Sequence, residues 1–295
     1  NVGATLAKRL LESEIADVVL LDIFKKMAQG KVLDLLHAAP IIGYQKEIIG
    51  TDDYAETKDS DIVVITAGLP RQPGMSRADL VAKNSSIIRE VLMNLKKSSC
   101  GAIIIVVTNP LDAMTYFAYK ESGFKRERVF GMAGLLDSSR FAYIIARELK
   151  VKYKDVETMV LGQHGPDMVP LISYTKVAGK PIGNLVSEKR LDELIKELRE
   201  SGASIVKLLG KGSAYYAPSA AIFTMIKAIA NDEKRLMSAS CVAEGEYGLS
   251  GVCTGLPIKL GKNGIEEIVQ LNLNPRESES LKKSVNSTKE LLSTL

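Results

Sequence analysis

The chain is expected to fold as an α/β protein, a doubly wound parallel sheet followed by a mixed α+β region. Three observations predict this. Strand-like and helix-like stretches alternate through the first half. The strand-like runs there, residues 17–22 (DVVLLD), 61–66 (DIVVIT) and 102–108 (AIIIVVT), are continuously apolar, as strands covered on both faces are. The second half changes to Gly-broken β runs and longer amphipathic helices, a pattern suited to antiparallel pairing.

Taken in order, residues 4–14 read as a helix because Leu6, Leu10 and Leu11 share one face. Strand 17–22 follows, then helix 28–39, strand 61–66, helix 79–98 and strand 102–108. Strand, helix, strand repeated this way implies parallel pairing through right-handed crossovers. Beyond it, residues 157–162 and 171–177 read as strands. Residues 188–209 read as one long helix, bent near Ser201 and Gly202, where Gly relaxes helical order. Helix 219–231, strands 236–244, 252–260 and 265–271, and a final helix 275–295 complete the pattern. In that last helix Leu281, Val285 and Leu292 are candidate core contacts. The division between the two halves is expected near residues 131–134.

Composition limits the function classes. Of 295 residues, 46% are hydrophobic and 25% charged, ordinary for a globular protein. The net charge of +4 is spread among acids rather than clustered, so nucleic acid is not implied. No apolar run approaches the ~20 residues that span a bilayer, so no membrane is implied. Three cysteines without CxxC spacing favour a reducing, cytoplasmic compartment and no metal cluster. Long linkers, repeats and a secretory signal are not visible.

Asn1-Val2-Gly3 before a helix matches the last part of G-x-G-x-x-G, whose glycines let backbone N–H groups approach a pyrophosphate at a helix N-terminus. Asp22 lies 19 residues after Gly3, at the end of a strand run. A carboxylate there accepts ribose hydroxyl hydrogen bonds and repels a 2′-phosphate, which favours NAD over NADP; a strand-ending turn residue is the plainer alternative. Thr66-Ala67-Gly68 and Val107-Thr108-Asn109-Pro110 each end a buried strand. Ligands of open α/β sheets bind beyond those ends, although ordinary βα turns use the same residue types. The assignment is a Rossmann-type dinucleotide-binding domain over residues 1–132 and a mixed α+β catalytic domain over 133–295. In such a sheet the first strand is central. It and the first two glycines would precede residue 1, so about ten residues are expected to be missing at the start.

The reactive candidates are His164, within Gly162-Gln163-His164-Gly165, and Asp137 and Arg140, within LDSSR. An imidazole titrates near neutrality and suits proton transfer with an alcohol. On a helix, Asp137 and Arg140 face the same side. The polar loop 69–77 (LPRQPGMSR) carries Arg71 and Arg77. It reads either as a solvated loop or as a lid that brings arginines over an anion.

NVGAT, the strand-ending Asp22, TAGLPRQPGMSR, NSSI, VTNPLD, LDSSR, GQHG and GSAYYAPSAA occur in order over residues 1–221. Together they resemble the lactate/malate dehydrogenase family, and within it the lactate-dehydrogenase-like malate branch of bacteria. The resemblance implies reversible hydride transfer between malate and oxaloacetate with NAD, an activity of the tricarboxylic acid cycle. It implies His164 as proton acceptor and donor, Asp137 as its orienting partner and Arg140 on the substrate C1 carboxylate. It implies Arg77 on the C2 oxygen, Asn109 on a substrate oxygen, and Arg71 on a second carboxylate, where a glutamine would resemble the lactate enzymes. It implies cofactor contacts at Asn1, Val2, Gly3, Asp22, Thr66, Ala67, Gly68, Asn84, Val107, Thr108 and Asn109. It also implies a homodimer or homotetramer; the apolar helix 32–39, whose His37 reads as a structural or subunit-contact residue, and helix 191–209 are expected to pack against a second subunit. One departure is Pro166, which follows the His-Gly pair where the family commonly has Asp; Asp167 comes next.

Other readings stay open. A lactate or general 2-hydroxyacid dehydrogenase is separated by Arg71. An NAD-using glycoside hydrolase would need a metal site, for which no Cys/His pair is suitably spaced. A non-catalytic NAD sensor would have no use for His164, Asp137 and three arginines together. A catalytically dead fragment follows if the start is natively absent.

Overall fold

Leu6, Ala7, Leu10 and Leu11 recur at helical spacing and form the buried face of α1 (Val2–Glu12). The computed structural model describes residues 1–70 and 75–293, and Arg77 through its backbone. After α1 come β1 (Val18–Leu21), α2 (Lys25–Ile42) and β2 (Ile48–Thr51). β1 and β2 pair in parallel, Val18 opposite Ile48 and Leu21 opposite Thr51. The chain continues through β3 (Ile62–Ile65), α3 (Arg77–Ser98), β4 (Ile103–Val106), α4 (Leu111–Ser122), β5 (Val129–Gly131) and α5 (Gly134–Leu149). β3, β4 and β5 are parallel neighbours. All of β4 is buried, which is why its sequence shows no alternation.

Short strands follow: β6 (Val156–Glu157), β7 (Val160–Leu161), β8 (Val169–Pro170), β9 (Lys176–Val177) and β10 (Lys180–Pro181). Then come α6 (Glu188–Leu209), α7 (Tyr216–Ala230), β11 (Arg235–Glu244), β12 (Ser250–Gly261), β13 (Gly264–Ile268) and α8 (Pro275–Leu292). The antiparallel hairpin of β11 and β12 joins the parallel strands through one pair, Ser240 opposite Gly131. The result is a six-stranded sheet in the order β3-β4-β5-β11-β12-β13. One apolar core crosses this seam, gathering Leu10, Ile105, Phe130, Leu136, Met225, Leu256 and Leu281.

The structure differs from the sequence reading in several elements. Residues 171–177 are not a strand but a 3-10 turn (Ile172–Tyr174) followed by the two residues of β9. The run 157–162 is split between β6 and β7. The helix read over 28–39 spans Lys25–Ile42. The long helix read over 188–209 is present with those bounds as α6. β2, α4 and β5 carry no clear local signal. α4 buries Leu111, Ala113, Met114, Phe117 and Ala118 around most of its girth, which erases amphipathic periodicity. β2 contains Gly50 because it lies on α2: a Cβ there would sit 2.8 Å from the Ala28 carbonyl carbon.

Two close approaches position the site. A Cβ on Gly3 would lie 3.3 Å from Thr66 Oγ1 and 3.9 Å from Leu20 Cδ1, so α1 begins between the carboxyl ends of β1 and β3. Gly255 on β12 faces Gly162, and each donates its N–H to the other's carbonyl at 2.9 Å. A Cβ on Gly255 would sit 2.7 Å from the Gly162 oxygen. Gly255→Ala must therefore push the 162–165 segment off the sheet, an overpacking that costs about 1–3 kcal/mol. The denaturation midpoint should fall accordingly; an unchanged midpoint would show that the bridge yields without strain.

Candidate active site

Asp137 lies in the first turn of α5 and is 2% exposed. The turn can start there because Gly134 packs against Ser238 and β7: a Cβ would sit 2.6 Å from the Val160 carbonyl oxygen. Each oxygen of Asp137 accepts one hydrogen bond. His164 Nδ1–H donates to Oδ2 at 2.8 Å, and Arg140 Nη1 donates to Oδ1 at 3.2 Å. With Nδ1 engaged, Nε2 is the ring nitrogen left to exchange a proton. Arg140 Nε is buried and without a partner among the described residues, which leaves unmet donor capacity suited to a carboxylate. Gly202 of α6 lies beside the same guanidinium.

The backbone that presents His164 is fastened at three successive N–H groups. Gly162 N–H donates to Gly255 O at 2.9 Å, Gln163 N–H to Ser284 Oγ at 2.7 Å, and His164 N–H to Asp112 Oδ2 at 2.7 Å. Gly162 has φ +79°, and a Cβ there would meet Ser284 Oγ at 2.6 Å, so glycine is required on both counts. Asp112 also accepts Ser240 Oγ–H at 2.6 Å. After Gly165 and Pro166, Asp167 accepts Ser287 Oγ–H at 2.8 Å.

The electrostatics follow from these contacts. Burial disfavours a charged His164 ring, but the charge and hydrogen bond of Asp137 outweigh it and hold the imidazole above its ordinary value. Arg140 pulls it down and Asp112 raises it further. Burial pushes the Asp112 carboxyl up to about 6, against the hydrogen bonds from Ser240 and His164.

The remaining predicted residues gather at the carboxyl ends of the parallel strands. Asn1 is exposed at the start of α1, and no side chain caps the first turn. Val2 and Gly3 open the helix. The first N–H groups are thus unoccupied by a cap, the chemistry a pyrophosphate needs. Asp22 accepts the Phe24 N–H at 3.0 Å, which fixes its carboxylate at the tip of β1. Thr66, Ala67 and Gly68 are exposed beyond β3. Thr108 donates to Ala67 O at 2.6 Å, joining the ends of β3 and β4 beside half-buried Val107 and exposed Asn109. Asn84 is 0% exposed. Its amide exchanges hydrogen bonds with Leu69 N and O at 2.8 and 3.2 Å and donates to Asn109 O at 2.7 Å. A pocket runs between His164, Asn109, Asp112, Leu80 and Thr288. Arg71 lies outside the described residues. The Arg77 backbone opens α3 directly after Ser76, which forms a capping box with Asp79. Among the described residues no group of His, Cys, Asp or Glu is placed to hold a metal.

The structure thus brings His164, Asp137 and Arg140 together. It adds residues the sequence did not single out: Asp112, Ser240, Ser284 and Gly255. Only VTNPLD pointed toward Asp112; the others pair across long sequence separations with no local signature.

Comparison with known proteins bears on this arrangement. Residues 1–131 match the family model for the lactate/malate dehydrogenase NAD binding domain, and residues 135–294 match that for the alpha/beta C-terminal domain. A malate dehydrogenase of Methanosarcina barkeri is 50% identical over 295 residues, covering 100% of this chain and 96% of that protein. The apo malate dehydrogenase of Picrophilus torridus superposes with a TM-score of 0.95 at 44% identity, over 99% of this chain and 93% of that one. The Plasmodium falciparum malate dehydrogenase in complex with NADH gives 0.92 at 35% identity, over 99% and 94%.

Because Asp137 is what outweighs burial at His164, Asp137→Asn should lower the imidazole pKa. The sign for stability follows: a raised folded pKa stabilises the protein below the unfolded value of ~6.5, and that contribution is lost as pH rises through the folded pKa. NMR titration of the ring nitrogens measures the change; an unmoved titration would mean that Asp137 does not set the ring's charge.

Proposed function

The chain belongs to the lactate/malate dehydrogenase family, and we propose that it works as an NAD-dependent malate dehydrogenase in which His164 moves the proton. The observation that carries this reading is the single buried carboxylate of Asp137, which holds a base and a carboxylate-binding arginine side by side. When bound, NAD supplies the hydride acceptor or donor. The uncapped start of α1, Asp22, and the strand ends at 66–68 and 107–109 would hold it.

The residues of the chain do the rest. Arg140 takes the substrate C1 carboxylate through its unmet N–H groups, a bidentate contact that sets the substrate's orientation. This places the C2 oxygen toward His164 Nε2, with Asn109 as a second hydrogen-bond partner. In oxidation neutral Nε2 accepts the hydroxyl proton; in reduction the imidazolium returns it to the developing alkoxide. Asp137 stabilises the imidazolium and holds the tautomer with the proton on Nδ1. A pKa raised above the ordinary value extends the charged form of the ring to higher pH, which favours reduction. Oxidation gains as the pH rises past that pKa. Arg77 is assigned to the C2 oxygen, where charge develops.

Arg71 is assigned to the second carboxylate. A charge-assisted pair there contributes about 1.5–3 kcal/mol. A methyl group in its place would leave the guanidinium unpaired, so oxaloacetate is preferred over pyruvate. Residues 1–132 are assigned to the cofactor and 133–295 to the substrate.

A homodimer or homotetramer is part of the same reading. Leu33, Leu36, Ile41 and Ile42 of α2, with Val206, Leu208 and Leu209 of α6, are large apolar side chains left exposed, more than a monomer usually shows. By contrast Leu191, Leu194 and Leu198 of α6 are consumed internally. His37 is exposed on α2. We place the enzyme in the cytoplasm and in the tricarboxylic acid cycle; among the described residues no helix is long and apolar enough to cross a membrane.

NADH consumption should be well faster with oxaloacetate than with pyruvate, and equal rates would remove the malate assignment. Arg71→Gln should shift the kcat/KM ratio toward pyruvate; a constant ratio would take Arg71 out of substrate selection. His164→Asn should lower turnover by ~10²–10⁴, the loss expected with a general acid, and near-normal turnover would reject its role.

A further inference from the structure

Asp112 touches neither substrate nor cofactor in the reading above, yet its side chain reaches the base directly. It sits in the first turn of α4, three residues after Asn109, and is 2% exposed. Oδ2 accepts His164 N–H at 2.7 Å and Oδ1 accepts Ser240 Oγ–H at 2.6 Å. Two donors converge on one group, and only a carboxylate offers an acceptor to each; an asparagine would turn a donor toward one of them. Among the described residues no Lys or Arg forms an ion pair with it. A buried carboxylate without a cation is costly, and the helix N-terminus offsets only part of that. Packing alone would be served by an apolar side chain.

We propose that Asp112 is a second positioning carboxylate for His164: it fixes the main chain of the base while Asp137 fixes the ring. The proposal rests on the proton-transfer role given to His164. Asn109 leads into α4 through Pro110 and Asp112 lies in the first turn of that helix, so one short segment links the place of the base to the place of the substrate's hydrogen-bond partner.

The charge of Asp112 contributes as well. It raises the proton affinity of His164. The groups that face it are His164 from the loop, Asp137 from α5, and the thiols of Cys241 and Cys253 on β11 and β12, which burial pushes far up and keeps neutral. Burial brings the Asp112 carboxyl to about 6. Below that pH it gains a proton, one oxygen turns donor and the contacts with Ser240 and His164 N–H must rearrange, so the charge-assisted grip on the base weakens although the ring stays charged. The pH profile of oxaloacetate reduction then has two limbs: a basic one where His164 loses its proton, and an acidic one near 6 where Asp112 gains one.

Asp112→Asn tests this in the full-length protein. Turnover should fall about 10- to 100-fold, the scale of a misplaced reacting group. The KM for oxaloacetate should change little, and NADH should bind as in the parent by fluorescence titration. The acidic limb should vanish and the basic limb should move to lower pH. A folded variant with parental turnover and both limbs in place would reduce Asp112 to a structural residue and overturn the proposal.

Ser240→Ala provides the second measurement if Asp112→Asn does not fold. It removes a hydrogen bond that favours the ionised carboxyl, so the acidic limb should move to higher pH while the basic limb stays. An acidic limb that does not move would overturn the assignment equally. His164→Asn separates the two readings: if it keeps turnover, the proton-transfer reading fails. If it loses turnover while the Asp112 and Ser240 variants leave the profile intact, only the present proposal fails.

Discussion

The carboxylate of Asp137 is the contact on which the rest of the site depends. It has two oxygens and gives one to His164 and one to Arg140. It is buried at the start of α5, where both oxygens need hydrogen-bond donors. Breaking either contact would leave an unbalanced charge in a water-poor place. The base and the arginine are therefore held in a fixed relation, and the substrate has only to match it. Burial alone would discharge the imidazole; the neighbouring carboxylate reverses that.

Holding the ring is useful only if the chain beneath it is also held. The three consecutive N–H groups of Gly162, Gln163 and His164 are bound to β12, α8 and α4 respectively. α4 lies more than a hundred positions before β12 and α8 in the sequence, and all three meet at this loop. Gly162 meets the geometric demand of this arrangement with a left-handed backbone that leaves room for Ser284. A loop fastened this way behaves as part of the core although it has no regular secondary structure.

Much of this was legible in the sequence, and for definable reasons. α1, α6, α7, α8 and the long hairpin have enough residues for periodicity to emerge. His164, Asp137 and Arg140 sit in short segments whose residue types point to proton transfer and anion binding. What escaped was decided by contacts rather than by local preference. β2 and β5 are brief and depend on neighbours. α4 is buried on nearly all sides, so its apolar residues form no stripe. The run 171–177 looks β-like but closes into a 3-10 turn, where Thr175 Oγ1 donates to the Leu171 carbonyl. Ser240, Ser284 and Gly255 are small residues whose importance comes from what lies opposite them, and such partners carry no mark in the local sequence.

The core that crosses the seam between β5 and β11 has a mechanical consequence. Bodies that swing about a hinge need a thin waist, where little apolar surface is shared. Here Phe130 and Ile105 on one side and Leu256, Met225 and Leu281 on the other fill one interior, and prying them apart would expose all of it to water. The two halves behave as a single block. Admission and release of small molecules then fall to short segments at the rim rather than to a swing of one half against the other.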